Sequence, residues 1–370
     1  MRDATRLAHP PQVTPAPSVS PPLYQTSTFH LGLDGDDRYD YSRSGNPTRE
    51  VLEQQIAQLE RGTRCFAFTS GMAALAAVTR QVPAGSEIVA GADGYGGTYR
   101  LLTRILPRHH VRVSFVDLCD LDATRAAIGP HTALVLLETP TNPTLSVVDV
   151  AAVCRIAHAA GAKVAVDGSL ASPLVFRPLA LGADYAVHSA TKVLCGHSDV
   201  TGGVVTVADP ALEEPLYLTQ NGEGTALAPF DAWLLLRGLK TLALRTARQD
   251  ASAARVAGWL REHPAVRQVS WPGFPDHRGA AVHARQCASP GSVISFRTGD
   301  PDFSLRFARA TQLFSTTVSF GAVSSSVTLP YRTSHAAMGG EGPPADLVRL
   351  SVGIEDPDDL LDDLARALSA

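Results

Sequence analysis

Several residue types whose abundance defines a protein class are scarce in this sequence. Only five of the 370 residues are cysteines, and they form no C-x-x-C pair, so neither a disulfide framework nor a zinc knuckle is indicated. The 32 Lys and Arg residues do not outnumber the 36 Asp and Glu residues, which argues against a dedicated nucleic-acid binder. No hydrophobic run approaches the roughly 20 residues of a membrane-spanning helix, and the first residues lack the apolar stretch of a signal peptide. A reducing cytoplasm is therefore the expected location.

The remaining composition is typical of a globular protein. Apolar residues make up 45% of the chain and charged residues 18%, which is too apolar a balance for a disordered protein. Because single hydrophobic cores stop growing beyond about 250–300 residues, we expect more than one domain. We divide the chain into an extended, proline-rich arm at 1–45, a large domain at 46–235 and a smaller C-terminal domain at 236–370. The arm cannot bury itself, so it either is mobile or lies across another subunit.

The large domain alternates short apolar strands with helices. SEIVAG, TALVLLE and KVAVDG are among its predicted strands, and residues 229–260 read as a long helical section. Continuous apolar strands that alternate with helices indicate a mostly parallel sheet covered on both faces. Such sheets bind ligands at the carboxyl ends of their strands. Polar groups that directly follow a strand are therefore the candidate site residues.

The first candidates follow two of these strands. Ser70, Gly71 and Met72 join a strand to a helix, and they form either an ordinary turn or a phosphate site at a helix N-terminus. Asp167 ends the strand KVAVD, in an apolar setting where an ionised carboxylate needs a cationic partner. A ring nitrogen that stays protonated is one such partner.

The next strand end carries a lysine between hydroxyl groups. Ser189 and Thr191 precede Lys192, and two hydroxyls beside an amine suit a phosphate clamp next to a Schiff-base lysine, whose pKa falls readily on burial. A lysine alone would more often be a solvated surface residue. Together with Asp167 and the glycine turn at Gly71, this set specifies the parts of a pyridoxal phosphate site.

Two further residues are weaker candidates. Tyr95 lies among glycines that let the backbone approach a flat ligand, although Gly-Tyr turns are also common on protein surfaces. Asn142 lies between Pro140 and Pro143, which fix its amide either as a ligand contact or as part of a rigid loop. No metal-binding histidine pattern, Walker A loop or dinucleotide fingerprint is present, so we predict no metal, ATP or dinucleotide role.

Eight ordered motifs extend over nearly the whole chain. They are YSRSGNPT (41–48), SGMAAL (70–75), YGGTYRLL (95–102), ETPTNPT (138–144), HSATK (188–192), GHSDVTGG (196–203), RGLKTLALR (237–245) and LVRLSVGIED (347–356). In these motifs the chain closely resembles the cystathionine γ-synthase/γ-lyase family of pyridoxal-phosphate enzymes of Cys/Met metabolism. The resemblance implies the α/β fold of fold type I pyridoxal-phosphate-dependent transferases. That fold has a large domain with a mostly parallel seven-stranded sheet and a smaller α/β C-terminal domain.

The resemblance also implies which residues hold the cofactor. Lys192 is similar to the lysine that joins the cofactor covalently and then moves protons at Cα and Cβ, and Asp167 is similar to the partner of the pyridine nitrogen. Tyr95 would stack on the ring and protonate a leaving group. The backbone and side chains expected around the phosphate are those of Ser70, Gly71, Met72, Ser189 and Thr191.

Other implied roles concern the substrate and the neighbouring subunit. Arg349 resembles the bidentate clamp for the α-carboxylate of the substrate, with Ser319 close to it and Asn142 in contact with both the ring oxygen and the substrate. Tyr41 and Arg43 would complete the phosphate site of an adjacent subunit. The protein is thus expected to be at least a dimer, and a dimer of dimers by analogy with the family.

The chain departs from the family pattern at several positions. Gly168 and Ser169 replace the usual Asn-Thr after Asp167, and Phe320 replaces the usual leucine. Ser324 occupies the place where cystathionine-processing members often carry glutamate, which weakens cystathionine as the substrate. Gly97 lies where methionine γ-lyases carry a cysteine, which argues against methionine.

These features predict an enzyme that acts on an activated homoserine-type or sulfur-containing L-amino acid. The expected reaction is γ-replacement or γ-elimination through a vinylglycine-type intermediate. Two alternatives use the same residues: β-elimination, as in cystathionine β-lyases, and a specialised-metabolism reaction that makes an unusual amino acid. A cofactor-binding protein without turnover is the alternative from another class, but it has no need of Lys192, Asp167, Tyr95 and Arg349 together.

Overall fold

Seven strands form the larger of two sheets in a computed structural model that describes residues 18–32, 37–333 and 342–369. The strands are β1 (Arg64–Phe68), β2 (Glu87–Gly91), β3 (Arg112–Val116), β4 (Thr132–Glu138), β5 (Lys163–Asp167), β6 (Tyr185–His188) and β7 (Gly203–Val207). Their order across the sheet is β1-β7-β6-β5-β4-β2-β3, and only β7 is antiparallel to its neighbours. The predicted seven-stranded, mostly parallel sheet is confirmed.

Helices cover both faces of this sheet. In chain order they are α1 (Pro47–Glu60), α2 (Gly71–Thr79), α3 (Gly96–Arg100), α4 (Leu121–Ala127), α5 (Val150–Ala159) and α6 (Glu213–Glu223). Alternate residues of a strand enter different cores: Ala165 packs with the helices on one face, whereas Val164 and Val166 pack on the other. All three side chains are fully buried, as expected for a strand in the middle of a parallel sheet.

Polar side chains start many of these helices. Asn46 precedes Pro47 and accepts a hydrogen bond from the amide of Thr48, so α1 combines a capping side chain with proline in its first turn. Ser70 caps α2 in the same way, and Asp149 caps α5. These caps fix where each helix begins relative to the strand before it. The start of α2 is thereby held at the carboxyl end of β1.

A second sheet follows in the C-terminal part of the chain. Its strands are β8 (Gln268–Ser270), β9 (Val293–Arg297), β10 (Ser315–Thr316), β11 (Ser326–Thr328) and β12 (Leu347–Ser351), in the order β10-β11-β12-β9-β8. The helices that pack with it are α8 (Leu242–Glu262), α10 (Pro301–Ala310) and α11 (Pro357–Leu368), whereas Gln286 of α9 (Ala280–Gln286) donates a hydrogen bond to the carbonyl of Val148, before α5. This sheet has its own hydrophobic core around Phe296, Phe307 and Leu360.

The helical section predicted for 229–260 is divided in the structure. Helix α7 (Pro229–Leu239) ends at Lys240, and α8 begins after Thr241. The division lies beside Gly238, whose position comes so close to the carbonyl of Cys195 that an added Cβ would lie 2.4 Å from that oxygen. The three regions proposed from the sequence stay a prediction, and residues 1–17 of the arm lie outside the described residues. None of the helices described is long and apolar enough to cross a membrane.

Candidate active site

A cavity of about 240 Å³ lies where the carboxyl ends of β5 and β6 face the second sheet. The structure brings most of the predicted site residues to its wall. Those lining the cavity are Ser70, Gly71, Met72, Tyr95, Asn142, Asp167, Ser189, Thr191, Lys192, Ser319 and Arg349. Residues that are far apart in the sequence thus form one site, as the strand-end rule for parallel sheets requires.

Lys192 lies in the turn after β6 and points its amine into this cavity. Its Nζ donates a hydrogen bond of 2.7 Å to Oγ of Ser319. Burial, and secondly the positive charge of Arg349, lower the pKa of Lys192 to about 8. A substantial fraction of the amine is therefore neutral near physiological pH, and the neutral amine is the form that attacks a carbonyl carbon. Of the three lysines in the chain, Lys163 pairs with Asp184 and Lys240 contacts Ser20.

Asp167 ends β5 and is almost completely buried. Burial raises the pKa of its carboxyl group, while hydrogen bonds from Ser169 and the charges of His188 and Lys192 oppose that rise. The amide of Ser169 donates to Oδ1 of Asp167 at 3.0 Å, and Oγ of Ser169 accepts from the amide of Ser189 at 2.6 Å. Ser169, at a position that departs from the family pattern, thus holds both Asp167 and the turn that carries Lys192.

The start of α2 forms another wall of the cavity. Ser70 accepts a hydrogen bond from the amide of Ala73, whereas the amides of Gly71 and Met72 belong to the first turn, where no carbonyl of the helix can pair with them. Gly71 packs so closely on Ser189 that an added Cβ would lie 2.8 Å from its Cβ, so a larger residue would push the two elements apart. Helix N-termini of this kind attract phosphate groups.

Thr191 and Tyr95 line the same cavity. Oγ1 of Thr191 accepts from the amide of Gly202 at 2.9 Å and so ties the lysine turn to the segment before β7. The ring of Tyr95 lies over Gly97, where an added Cβ would come within 2.3 Å of the ring. No side chain fits at Gly97 with Tyr95 in this position, which agrees with the absence of a cysteine there.

Glu138 is a site residue to which the sequence analysis gave no role. It ends β4, and its two carboxylate oxygens accept 2.8 Å hydrogen bonds from the amides of Tyr95 and Asn142. Burial, and then the charge of Asp167, raise its pKa well above the usual range. Glu138 fixes the backbone of two predicted ligand contacts. No sequence pattern indicates this role, because the donors are backbone amides of two separate loops.

Arg349 reaches the cavity from β12 in the second sheet. Within the described part of the chain, its hydrogen bonds go to Oδ1 of Asn142 at 2.6 Å, to the carbonyl of Ser319 at 2.7 Å and to Oγ1 of Thr328 at 3.4 Å rather than to a carboxylate. It is 3% exposed, and its Nε has no hydrogen-bond partner among those residues. A buried guanidinium without a carboxylate is costly, so this group is prepared for an anionic ligand.

Two residues join Lys192 to Arg349. Ser319 holds the lysine through its hydroxyl and the arginine through its carbonyl, and it does so with a φ of 88°, a left-handed conformation that is uncommon for residues other than glycine. The ring of Phe320 lies 5.1 Å from Nζ of Lys192 and 5.3 Å from Cζ of Arg349. An aromatic face within 6 Å of a cation attracts it. The leucine-to-phenylalanine departure noted in the sequence therefore gives both cations one aromatic neighbour.

Arg245 supports the lysine turn from behind. It belongs to the RGLKTLALR motif and is 4% exposed. Its guanidinium donates to the carbonyls of Val193 at 2.9 Å and Leu194 at 3.3 Å, the two residues that follow Lys192. The sequence motif indicated a family resemblance at this position but no contact.

Tyr41 and Arg43 do not line the cavity of their own chain. Tyr41 is exposed, and Arg43 donates to the carbonyl of Asn221 at 2.7 Å and lies over the Tyr41 ring. Their predicted role in the site of an adjacent subunit stays a prediction.

The donors of the cavity fit a ligand such as pyridoxal phosphate. The amine of Lys192, whose pKa is lowered, would react with the aldehyde of this ligand, and the buried carboxylate of Asp167 would bind its ring nitrogen. The amides of Gly71 and Met72, together with nearby hydroxyls, would bind its phosphate. No cluster of three or more His, Cys, Asp or Glu side chains suited to a metal ion occurs in the ranges 18–32, 37–333 and 342–369.

Comparisons with known proteins agree with this geometry. A family model described as "Cys/Met metabolism PLP-dependent enzyme" matches residues 4–369. A chloroplastic cystathionine beta-lyase of Arabidopsis thaliana is 49% identical over 95% of this chain and 77% of its own length. A cystathionine gamma-lyase of Bacillus subtilis is 42% identical over 95% of this chain and 94% of its own length. Among solved structures, a cystathionine gamma-lyase of Lactobacillus plantarum with L-serine has a TM-score of 0.91 and 42% identity over 94% of this chain and 93% of that one.

These matches confirm the family, fold, enzymatic nature and cofactor that were predicted from the sequence. The chain is a member of the Cys/Met metabolism family of pyridoxal-phosphate-dependent enzymes, of the type that includes cystathionine lyases and synthases.

Proposed function

We propose that this enzyme cleaves a carbon–sulfur bond of a cystathionine-type L-amino acid by elimination. The observation that carries the proposal is the joint attachment of Lys192 and Arg349 to Ser319. A proton-accepting amine and a carboxylate-binding guanidinium are thereby held on one side of one small cavity. This arrangement suits an α-amino acid whose carboxylate binds the arginine while its Cα–H bond faces the lysine.

Several residues would hold the cofactor in place. When bound, pyridoxal phosphate withdraws electrons from the carbon that carries the substrate amino group. Asp167 would keep the proton on the ring nitrogen, and the Gly71 and Met72 amides with the Ser189 hydroxyl would bind the phosphate. Tyr95 would lie against the ring.

Lys192 would then move the protons of the reaction. Its pKa near 8 leaves enough neutral amine to accept the Cα proton, and its hydrogen bond to Ser319 orients it. A guanidinium can offer two parallel N–H groups to the two oxygens of a carboxylate, and Nε of Arg349 has no partner among the described residues. Lysine at that position would supply charge without this match.

Elimination at Cβ is the form of the reaction that the relatives favour. The Arabidopsis relative at 49% identity is a cystathionine beta-lyase, whereas the gamma-lyases of B. subtilis and L. plantarum are 42% identical. Ser324, where the resemblance would place a glutamate, does not line the cavity, so that departure leaves the inner site unchanged.

Elimination or replacement at Cγ is the second candidate. It is supported by the gamma-lyase relatives, and it would use the same amine for one further proton, at Cβ. Contacts in the outer part of the site decide between the two reactions through small energy differences.

Product analysis distinguishes these reactions. The holoenzyme is incubated with L-cystathionine, and its products are identified by mass. Homocysteine, pyruvate and ammonia indicate β-elimination, whereas cysteine, 2-oxobutyrate and ammonia indicate γ-elimination. In a separate incubation with cysteine and an O-acyl-homoserine, the formation of cystathionine indicates γ-replacement. A Lys192→Ala variant serves as the blank, and an enzyme that forms none of these products would contradict the proposal.

We also propose that the active site is shared between subunits, in the cytoplasmic homo-oligomer expected from the sequence. The exposed Tyr41 and Arg43, remote from their own cavity, support this. Mixing an inactive Lys192→Ala variant with an inactive Arg43→Ala variant tests it. Mixed dimers would regain activity if the arm acts on the partner's site, because one site then has both native elements. If the arm acts within its own chain, every site keeps one defect and no activity returns.

A further inference from the structure

A buried carboxylate and a buried imidazole form a pair behind the floor of the active site. Glu60 is the last residue of α1, and His188 is the last residue of β6. Oε1 of Glu60 and Nε2 of His188 lie 2.5 Å apart, and the two residues are 0% and 1% exposed. Neither residue belongs to the cavity wall.

This pair lies directly next to Asp167. His188 follows Val187, which is the strand partner of Asp167 in the sheet. The Cε1–Nδ1 edge of the imidazole faces Gly168, where an added Cβ would lie 2.8 Å from Cε1. The imidazole therefore occupies the space that a side chain after Asp167 would need. In this chain the usual asparagine of that position is replaced by glycine.

The charged groups around this pair shift each other's pKa values. The charged groups that act on His188 are Glu60 from α1 and Asp167 from β5, and their combined effect raises the pKa of His188 against the opposing effect of burial. His188 and Lys192 in turn lower the pKa of Asp167. Nδ1 of His188 has no partner at full hydrogen-bond geometry among the described residues, but the backbone of Gly168 adds to the effect of Glu60 and Asp167 in raising the pKa of the ring.

We propose that Glu60 and His188 are positioning residues that keep Asp167 ionised for the ring nitrogen of the cofactor. Glu60 holds His188 as an imidazolium, and the imidazolium offsets the negative charge of Asp167, which is itself buried. Lys192 lowers the pKa of Asp167 from the cavity side and His188 does so from behind, so a protonated ring nitrogen would meet an ionised carboxylate. With a neutral His188, only Lys192 and the hydrogen bonds of Ser169 would oppose the effect of burial, and Asp167 would take up a proton more readily. The inference rests on the role proposed for Asp167.

Two variants test whether the charges of Glu60 and His188 affect the binding of the cofactor. Glu60→Gln keeps the size of the side chain and its hydrogen bond to His188 but removes the charge, and His188→Gln removes the imidazolium. We expect each to raise the dissociation constant of pyridoxal phosphate from the apoprotein by about tenfold at pH 7.5, which corresponds to one pKa unit at Asp167. Equilibrium dialysis measures this constant without any turnover. Ring ¹⁵N chemical shifts of His188 should show an imidazolium in the native apoprotein and a neutral ring in Glu60→Gln.

A double variant tests whether the effect passes through Asp167. If it does, Glu60→Gln should add nothing to the loss of affinity caused by Asp167→Asn, because the carboxylate on which it acts has gone. A merely structural role predicts losses that add. Asp346→Asn is the matched control: it removes another buried carboxylate, 4% exposed and paired with Arg297 in the second sheet, and should leave cofactor affinity unchanged.

Each outcome has a distinct meaning. If Asp167→Asn leaves cofactor affinity unchanged, the role of Asp167 itself is wrong. If Asp167→Asn weakens binding but Glu60→Gln and His188→Gln bind as the native protein does, the inference alone fails. A neutral His188 in the native apoprotein would also overturn it. Should Glu60→Gln not fold, His188→Gln and the ¹⁵N measurement on the native chain decide the question.

Discussion

The two sheets of this enzyme contribute to the active site in different ways. The seven-stranded sheet supplies residues from the ends of its strands or just beyond them: Glu138 ends β4, Asp167 ends β5, and Lys192 follows β6. The five-stranded sheet supplies Arg349 from the middle of β12, where the strand is hydrogen-bonded on both sides to β9 and β11. Loop positions at strand ends are free to bring several functional groups together, whereas a central strand holds one group rigidly.

This difference suggests a division of tasks. In the proposed mechanism, residues of the first sheet hold the cofactor and move protons, and Arg349 of the second sheet binds the carboxylate of the substrate. Ser319 and Phe320 are the connection, because they contact both Lys192 and Arg349. Variants in the first sheet should therefore impair cofactor binding or proton transfer, whereas variants of Arg349 should impair substrate binding.

The largest effect is expected at Lys192 in the first sheet. Lys192→Ala should lower kcat by about 10³-fold or more, because it removes the group that moves the protons. It should also abolish the yellow, borohydride-reducible link to the cofactor. Absorption spectra and steady-state rates measure both changes. Lys240→Ala is the matched control, since Lys240 is exposed and contacts Ser20, and it should retain colour and rate.

A smaller and different effect is expected at Arg349 in the second sheet. Arg349→Lys keeps the charge but loses the bidentate geometry, so kcat/KM should fall by about 10- to 100-fold, mostly through KM. Cofactor affinity should not change. Arg297→Lys, in the neighbouring strand β9 and paired with Asp346, is the control that should keep native kinetics. Equal losses of cofactor and substrate affinity in Arg349→Lys would remove the proposed division of tasks.

The rate at which the apoprotein binds pyridoxal phosphate, here called the capture rate, should depend on pH. This dependence tests whether Arg349 of the second sheet acts on Lys192 of the first. The neutral form of Lys192 is the reactive one, so the capture rate of the apoprotein should rise with pH and level off above about 8, rather than near the ordinary value of 10.5. Because the charge of Arg349 helps to lower this pKa, Arg349→Met should move the plateau to higher pH. Stopped-flow absorbance over a pH series measures it. An unchanged plateau would mean that the arginine does not act on the lysine.

The smallest effect is expected at Phe320. Its aromatic face favours the charged form of Lys192, so Phe320→Leu should shift the plateau of the same capture profile to lower pH, by less than about one unit. This direction is opposite to that of Arg349→Met. Phe314→Leu, which alters a fully buried ring in the core of the second sheet, should leave the profile in place.

The sequence predicted the parts of this site that follow from local patterns. Strand ends in an apolar, alternating chain led to Asp167 and Lys192, and both line the same cavity in the structure. Ser70 likewise caps the helix that was predicted to follow β1. Arg349 came only from the family resemblance, because a single arginine within a strand carries no local signal.

Contacts between distant segments could not be read from the sequence. Glu60 and His188 are 128 positions apart and meet only once β6 is packed against α1. Glu138 was visible in a motif, but the two amides that it binds belong to other loops. The break between α7 and α8 lies beside the close approach of Gly238 to Cys195, a contact that helical periodicity does not reveal.

The central claim concerns which amine carries the cofactor, and the chain contains only three lysines: Lys163, Lys192 and Lys240. The holoenzyme is reduced with borohydride and digested, and the peptide that bears the pyridoxyl group is identified by mass spectrometry. We predict that the label lies on Lys192 alone. A label on Lys163 or Lys240, or none on any lysine, would contradict the account of this site.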